Sequence, residues 1–175
     1  MIPKIKQPDI HKDIYLRKDQ IMGDVDAQIE IIANTHLKED GTINPVFDNA
    51  ESRYRALFDR WLDKYVDSAK SRMAAYLIVP DQHGAMNAGR EWSEIRLHMS
   101  FPWYWNDTTF PQLVGAIHDY IVNSVLFEFC TLTITSRDPI TTDKQVLAED
   151  AYQKIKYFCM SAKPHTTKKR LQPFG

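Results

Sequence analysis

Only two cysteines and six glycines occur in the 175 residues, and neither set is arranged for chemistry. Cys130 and Cys159 sit inside separate helical patterns and outside any Cys-x-x-Cys pair, so they read as reduced core thiols of a cytosolic product, not as a disulfide. Gly84 and Gly89 have no Lys-Ser/Thr after them, which excludes a phosphate-binding loop, and no Gly-x-Ser-x-Gly elbow accompanies the serines. The six histidines, at 11, 36, 83, 98, 118 and 165, show no spacing that sets two imidazoles on one helix face. His118 and Asp119 are sequence neighbours, about 100° apart on a helix, so His118 reads as a surface or hydrogen-bonded residue and not as a ligand. No catalytic residue, cofactor or metal is expected, and the chain is not read as an enzyme.

Long apolar runs are also missing. No stretch of about 20 consecutive apolar residues occurs, so no transmembrane helix is expected. Met1 to Pro8 lacks the apolar region of a signal peptide. Charge of one sign is absent overall, with a net value of -1, which argues against a body built to bind a polyanion. Its placement is uneven, however. Asp24, Asp26 and Glu30 load the first helical segment with acid, and the last stretch carries Lys163, Lys168, Lys169 and Arg170 with no acid at all.

What is present is helical periodicity. Hydrophobic residues make up 43% of the chain, enough for one core and one domain. Pro3 and Pro8 predict an extended arm over 1–15. Ile21, Val25, Ile29 and Ile32 repeat at three- and four-residue steps, which predicts a helix over 16–35 that stops at the run ending in Gly41. Asn44-Pro45 starts a turn, and Asp48 or Asn49 can cap a long second helix. From Tyr54 through Phe58, Trp61, Leu62, Val66, Ala69 and Met73 to Leu77, one apolar stripe runs toward a stop at Pro80. A helix of that length spans about 45 Å, and Trp61 in mid-stripe is expected in the core.

After a loop over 81–91 the period becomes two. Ile95, Leu97, Met99 and Phe101 alternate with Glu94, Arg96, His98 and Ser100, which predicts one half-buried strand over 92–101. It must pair with the N-terminal arm, the 81–91 loop or another subunit. A third helix follows over 109–132, with Leu113, Ile117, Tyr120, Ile121, Val125 and Phe129 inward. A fourth is predicted over 141–162, with Val146, Leu147, Ala151, Ile155, Phe158 and Cys159 inward. The fold class is therefore mainly α: a helical bundle with one long amphipathic helix, a short strand or hairpin insertion and extended termini. The domain reading is an arm over 1–15, a helical body over 16–162 and a basic tail over 163–175.

Two features point outward. Trp103, Tyr104 and Trp105 form an aromatic cluster with no basic residue between Arg96 and Arg137 to track phosphates, so core or inter-subunit anchoring is favoured over base stacking. The tail carries two prolines, and Lys168, Lys169, Arg170, Leu171 and Phe174 offer cations and apolar anchors but no core. Tails of this composition fray unless something ties them down, so these five residues are the expected partner-binding element.

Several strings carry a family resemblance: Tyr-Leu-x-Lys-Asp-x-Ile-x-x-Asp-Val-Asp-Ala-Gln (Tyr15 to Gln28), Ile-Arg-Leu-His-Met-Ser-Phe-Pro (Ile95 to Pro102), Trp-Asn-Asp-Thr-Thr-Phe-Pro (Trp105 to Pro111), Ala-Ile-His-Asp-Tyr-Ile-Val (Ala116 to Val122) and the Lys-Lys-Arg-Leu-Gln-Pro-Phe end. With the order of elements, these resemble head–tail connector (adaptor or ring) proteins of tailed phages and prophages of gut Bacteroidetes. The resemblance implies a structural virion protein of the neck or tail, made in the host bacterial cytoplasm. It would form a homo-oligomeric ring of about a dozen copies beneath the portal protein. Its tail would dock on the portal or the next neck protein, and its lumen would allow non-specific contact with packaged DNA. No membrane is implied. The alternatives are a tail-completion or other neck ring component and, from another class, a small helical enzyme or regulator using His98, His118 and the 103–105 cluster.

Overall fold

The protein is described by a computed structural model, in which residues 8–39, 41–47, 50–78, 92–134 and 137–163 are placed. Strand β1 (Ile10–Arg17) leads directly into helix α1 (Lys18–Thr35). Helix α2 (Ala50–Arg72), strand β2 (Glu94–Phe101), a 3-10 turn (Asp107–Thr109), α3 (Phe110–Thr133) and α4 (Pro139–Cys159) follow. The fold is the mainly helical bundle that the periodicity predicts, with a small antiparallel hairpin on it.

α3 is the axis of the bundle. Leu113, Ile117, Tyr120, Ile121, Val125 and Phe129 are all buried, and α3 packs against each of the other three helices. By length and composition it could cross a membrane, but 61% of that window is buried in the bundle, which accounts for its apolarity. Tyr54 and Phe58 of α2 meet Phe129, while Ser68 meets Tyr120, so α2 runs antiparallel to α3. α4 returns antiparallel as well, with Tyr152 against Tyr120 and the Phe158 carbonyl bonded to Trp105 Nε1. α1 runs in the same sense as α3: Asp24 reaches His118, and His36, just past the end of α1, lies against Phe47, which packs on Phe129.

The caps explain the boundaries. Asp138 accepts from Ile140 N at 2.9 Å, with Pro139 in the first turn of α4, and Asn106 accepts from Thr108 N at 3.3 Å. Gly41, at φ +79°, makes the turn in which Gly41 N donates to Lys38 O and Lys38 N to Thr42 O.

Three expectations need correction. The second helix ends at Arg72, and the chain tightens into turns, because Ile78 N donates to His98 O and Ser100 N to Tyr76 O. That pairing with β2 takes Tyr76 and Leu77 out of the helix while keeping them packed on the core. Trp61 is only half-buried, since the fully enclosed line runs through Phe58, Leu62, Val66 and Ala69 of α2 to Met73 just past its end. On α4, Val146 and Leu147 are exposed (60% and 47%), because the helix packs through Thr141, Ala148, Ala151, Ile155 and Cys159. Small residues on that line let α4 approach α3 closely, which leaves the bulkier neighbours outside.

The 92–101 strand pairs with the N-terminal segment. Ile10 faces Phe101 and Arg17 faces Glu94, antiparallel, and Ile14 and Leu16 are buried beside Leu97 and Met99. Part of the expected arm is thus built into the core of the body.

Candidate interaction surface

The hairpin turns its apolar side to the helices and a polar side outward. Alternation fixes this: Ile14 and Leu16 face in, so His11, Asp13, Tyr15 and Arg17 face out, opposite Ser100, His98, Arg96 and Glu94. At the centre of that face Asp13 is held twice, by Arg96 Nη2 donating to Oδ2 at 2.7 Å and by His98 Nδ1 at 2.6 Å from Oδ1. Arg96, and after it His98, holds the Asp13 carboxyl down to about 2. His11 stacks on His98 at 5.7 Å with 7° between the rings, and the Arg96 guanidinium lies 6.0 Å from the centre of the Tyr15 ring.

Among the described residues, the main chain of β1 is open on its far side. His98 and Ser100 turn their backbone groups toward 76–78, so Leu97, Met99 and Phe101 turn theirs toward β1. Their partners Ile14, Lys12 and Ile10 therefore bond back to β2, and the amides and carbonyls of His11, Asp13 and Tyr15 point away from the sheet. Among the described residues no segment pairs with that edge. Lys12, whose amine lies 5.5 Å from the centre of the Phe110 ring, places a charge on the inner side of the edge strand and so restricts which strands could add there.

The aromatic cluster separates into two kinds of residue. Trp105 belongs to the core at 1% exposure, stacked 3.8 Å on Phe101 with its Nε1 donating to Phe158 O at 2.8 Å. It closes the end of α4 and has no surface to offer a second subunit. Trp103 and Tyr104 are about half exposed and meet edge to face at 5.8 Å. Lys163 N donates to Tyr104 O at 2.7 Å, which sets the start of the basic tail beside this pair. Lys168, Lys169, Arg170, Leu171 and Phe174 lie outside the described residues.

The histidines that sequence spacing leaves unpaired find carboxylates from distant parts of the chain. His118 Nε2 is 2.7 Å from Asp24 Oδ2, joining α3 to the acidic face of α1, and His36 Nε2 is 3.1 Å from Asp138 Oδ2. Each pairing is one imidazole to one carboxylate. Among the described residues no three metal-ligating side chains gather. Burial pushes the thiol of Cys130 up to about 11 and that of Cys159 up to about 12, which favours the protonated form of both. A last polar cluster links α2 to α3: Lys64 and Tyr65 both donate to Glu128 Oε1, at 2.6 and 2.7 Å, and burial first, then Glu128, raises Tyr65 to about 12.

Sequence reasoning allows the 92–101 strand to pair with the N-terminal arm and reads His118 as surface or hydrogen-bonded, but it does not identify the outer edge of β1 or the carboxylates that the histidines meet. The edge was signalled by the Ile10, Ile14, Leu16 alternation, but the pairs, 85 to 102 residues apart, left no local trace. No family profile, curated protein or solved structure matches this chain.

Proposed function

We propose that this chain is an architectural subunit that works by assembling with copies of itself, in the manner of the head–tail connector proteins its sequence resembles. The observation that supports it best is the open edge of β1. Three residues, His11, Asp13 and Tyr15, hold out main-chain donors and acceptors next to a face whose charges are already paired. A strand from a neighbour satisfies such an edge, and an added strand is a heterologous contact that closes into a ring when the rotation per subunit permits. Lys12 makes the addition selective, favouring a strand with an acid beside it. The exposed Trp103–Tyr104 pair supplies a second contact at the point where the tail leaves the body.

In this reading the portal and the next neck protein are partners of the tail, through Lys168, Lys169, Arg170, Leu171 and Phe174, and no turnover is involved. Light scattering and negative-stain imaging of the purified protein test it. Rings or a discrete high-order oligomer are expected. A strict monomer at high concentration, with no copies in purified particles, would overturn it.

A further inference from the structure

One imidazole joins the end of α1 to the start of α4. His36 Nδ1 lies 3.0 Å from Ile32 O and 3.0 Å from Thr35 Oγ1, and Nε2 lies 3.1 Å from Asp138 Oδ2. The Thr35 hydroxyl donates to Ile32 O at 2.7 Å, so toward the ring it is an acceptor. Every atom that faces a ring nitrogen is then an acceptor, and only the imidazolium, with a proton on both nitrogens, satisfies them together. A neutral ring of either tautomer turns a lone pair toward the carboxylate or toward the carbonyl and hydroxyl.

Asp138 has two tasks at once. Its Oδ1 caps α4 through Ile140 N at 2.9 Å while Oδ2 meets the ring. The two side chains are only 23% and 20% exposed. Further groups stand around the joint. Phe47, from the 41–47 loop, lies 6.2 Å from the imidazole and packs on Phe129 of α3. Cys130 of α3 is a buried protonated thiol, Lys144 of α4 donates to Gln28 at 3.0 Å, and Arg137, next to Asp138 in the chain, makes contacts of its own.

We propose that His36 and Asp138 form a proton-operated clasp. The charged imidazole holds the end of α1 against the cap of α4, and release of one proton to solvent opens the joint and loosens the first turn of α4. The Asp138 bond, with the Ile32 carbonyl behind it, outweighs burial and raises the His36 pKa above its ordinary 6.5, while His36 and then Ile140 N lower that of Asp138 below 3.8. A raised histidine contributes its stability in full below 6.5 and loses it as pH rises through the folded value. A lowered carboxylate contributes above 3.8 and loses its share as pH falls through its own folded value. The clasp is therefore closed in mildly acidic solution and opens on the alkaline side. It stands whether or not the chain assembles.

Nitrogen-detected NMR of the imidazoles, together with amide exchange over the first turn of α4, tests it. In the wild-type chain His36 is expected to carry protons on both nitrogens at pH 6 and to titrate above 6.5. Amide protection at 140–142 should fall by about tenfold across that titration after correction for intrinsic base catalysis. Asp138→Asn keeps a capping oxygen but removes the charge, so the His36 midpoint should drop and the extra pH dependence should vanish. Should that variant fail to fold, His36→Gln still donates to Asp138 without titrating, and protection there should become independent of pH. A neutral His36 at pH 6, a midpoint at or below 6.5, or a pH dependence that persists in either variant overturns the proposal.

Discussion

Phe58 and Trp61 lie one turn apart on α2, yet they occupy different environments. Phe58 is 1% exposed and touches Phe129, while Trp61 meets Phe58 edge to face at 5.6 Å and keeps one side in solvent. Phe58→Ala should therefore cost about 3–5 kcal/mol by urea denaturation, and Trp61→Ala only about 1–2 kcal/mol. Equal losses would show that the buried line of α2 has been drawn through the wrong residues. Asp13 gives a second check at this scale. Because its pKa is lowered to about 2, its contribution is complete above the ordinary 3.8 and fades only as pH falls toward 2. Acid unfolding followed by circular dichroism should shift to higher pH in Arg96→Gln, which removes the larger cause of that lowering. An unchanged acid midpoint would mean that Asp13 is not held by Arg96 in solution.

At the scale of elements, what was legible in the sequence depended on whether packing or pairing sets the outcome. The inward faces of α1 and α3 follow directly from their three- and four-residue spacing, because burial along a helix is decided by periodicity. The end of α2 was not legible. Tyr76 and Leu77 continue the apolar stripe, but β2 claims the backbone of Tyr76 and Ile78, a competition between segments that spacing cannot show. On α4 the spacing finds Ala151, Ile155 and Cys159, but it sends Val146 and Leu147 inward where the structure buries Ala148 and Thr141 instead. Pro3 and Pro8, which precede β1, mark 1–15 as an extended arm, although the alternation of Ile10, Ile14 and Leu16 within it is visible. The same strand supplies the test of assembly. Tyr15 turns its amide away from β2, so Tyr15→Pro removes a donor only on the open edge, where proline is tolerated. The monomer should keep its helical circular dichroism and stay within about 1 kcal/mol of wild type, while oligomers seen by light scattering should be lost. Oligomers that survive this substitution would mean that β1 is not the joint between copies.

For the whole molecule, charge is unevenly placed: the chain's net value is -1, and because 163–175 holds four cations and no acid, 1–162 carries 18 cations against 23 acids, a net charge of -5. The chain is anchored up to Lys163, whose amide bonds Tyr104 and whose ammonium lies 3.8 Å from Asp107. Removal of 164–175 leaves every described contact in place, so thermal unfolding of the truncated protein should match that of the full chain. On the proposed function, docking onto a portal or neighbouring ring should nonetheless disappear, because Leu171 and Phe174 are the large apolar side chains that stretch has to offer. Rim charges tune encounter and salt dependence, whereas a buried aromatic sets how long a complex lasts. Replacing Lys168, Lys169 and Arg170 by Gln should then weaken docking chiefly at low salt and slow its onset. Phe174→Ala should weaken docking at every salt concentration and speed dissociation, by about tenfold or more for a loss above 1.4 kcal/mol. Surface-bound portal protein, with salt varied from low to high, separates the two effects. Complete and infectious particles built from the truncated chain would remove the tail from the docking mechanism and leave assembly to the hairpin edge and the Trp103–Tyr104 pair.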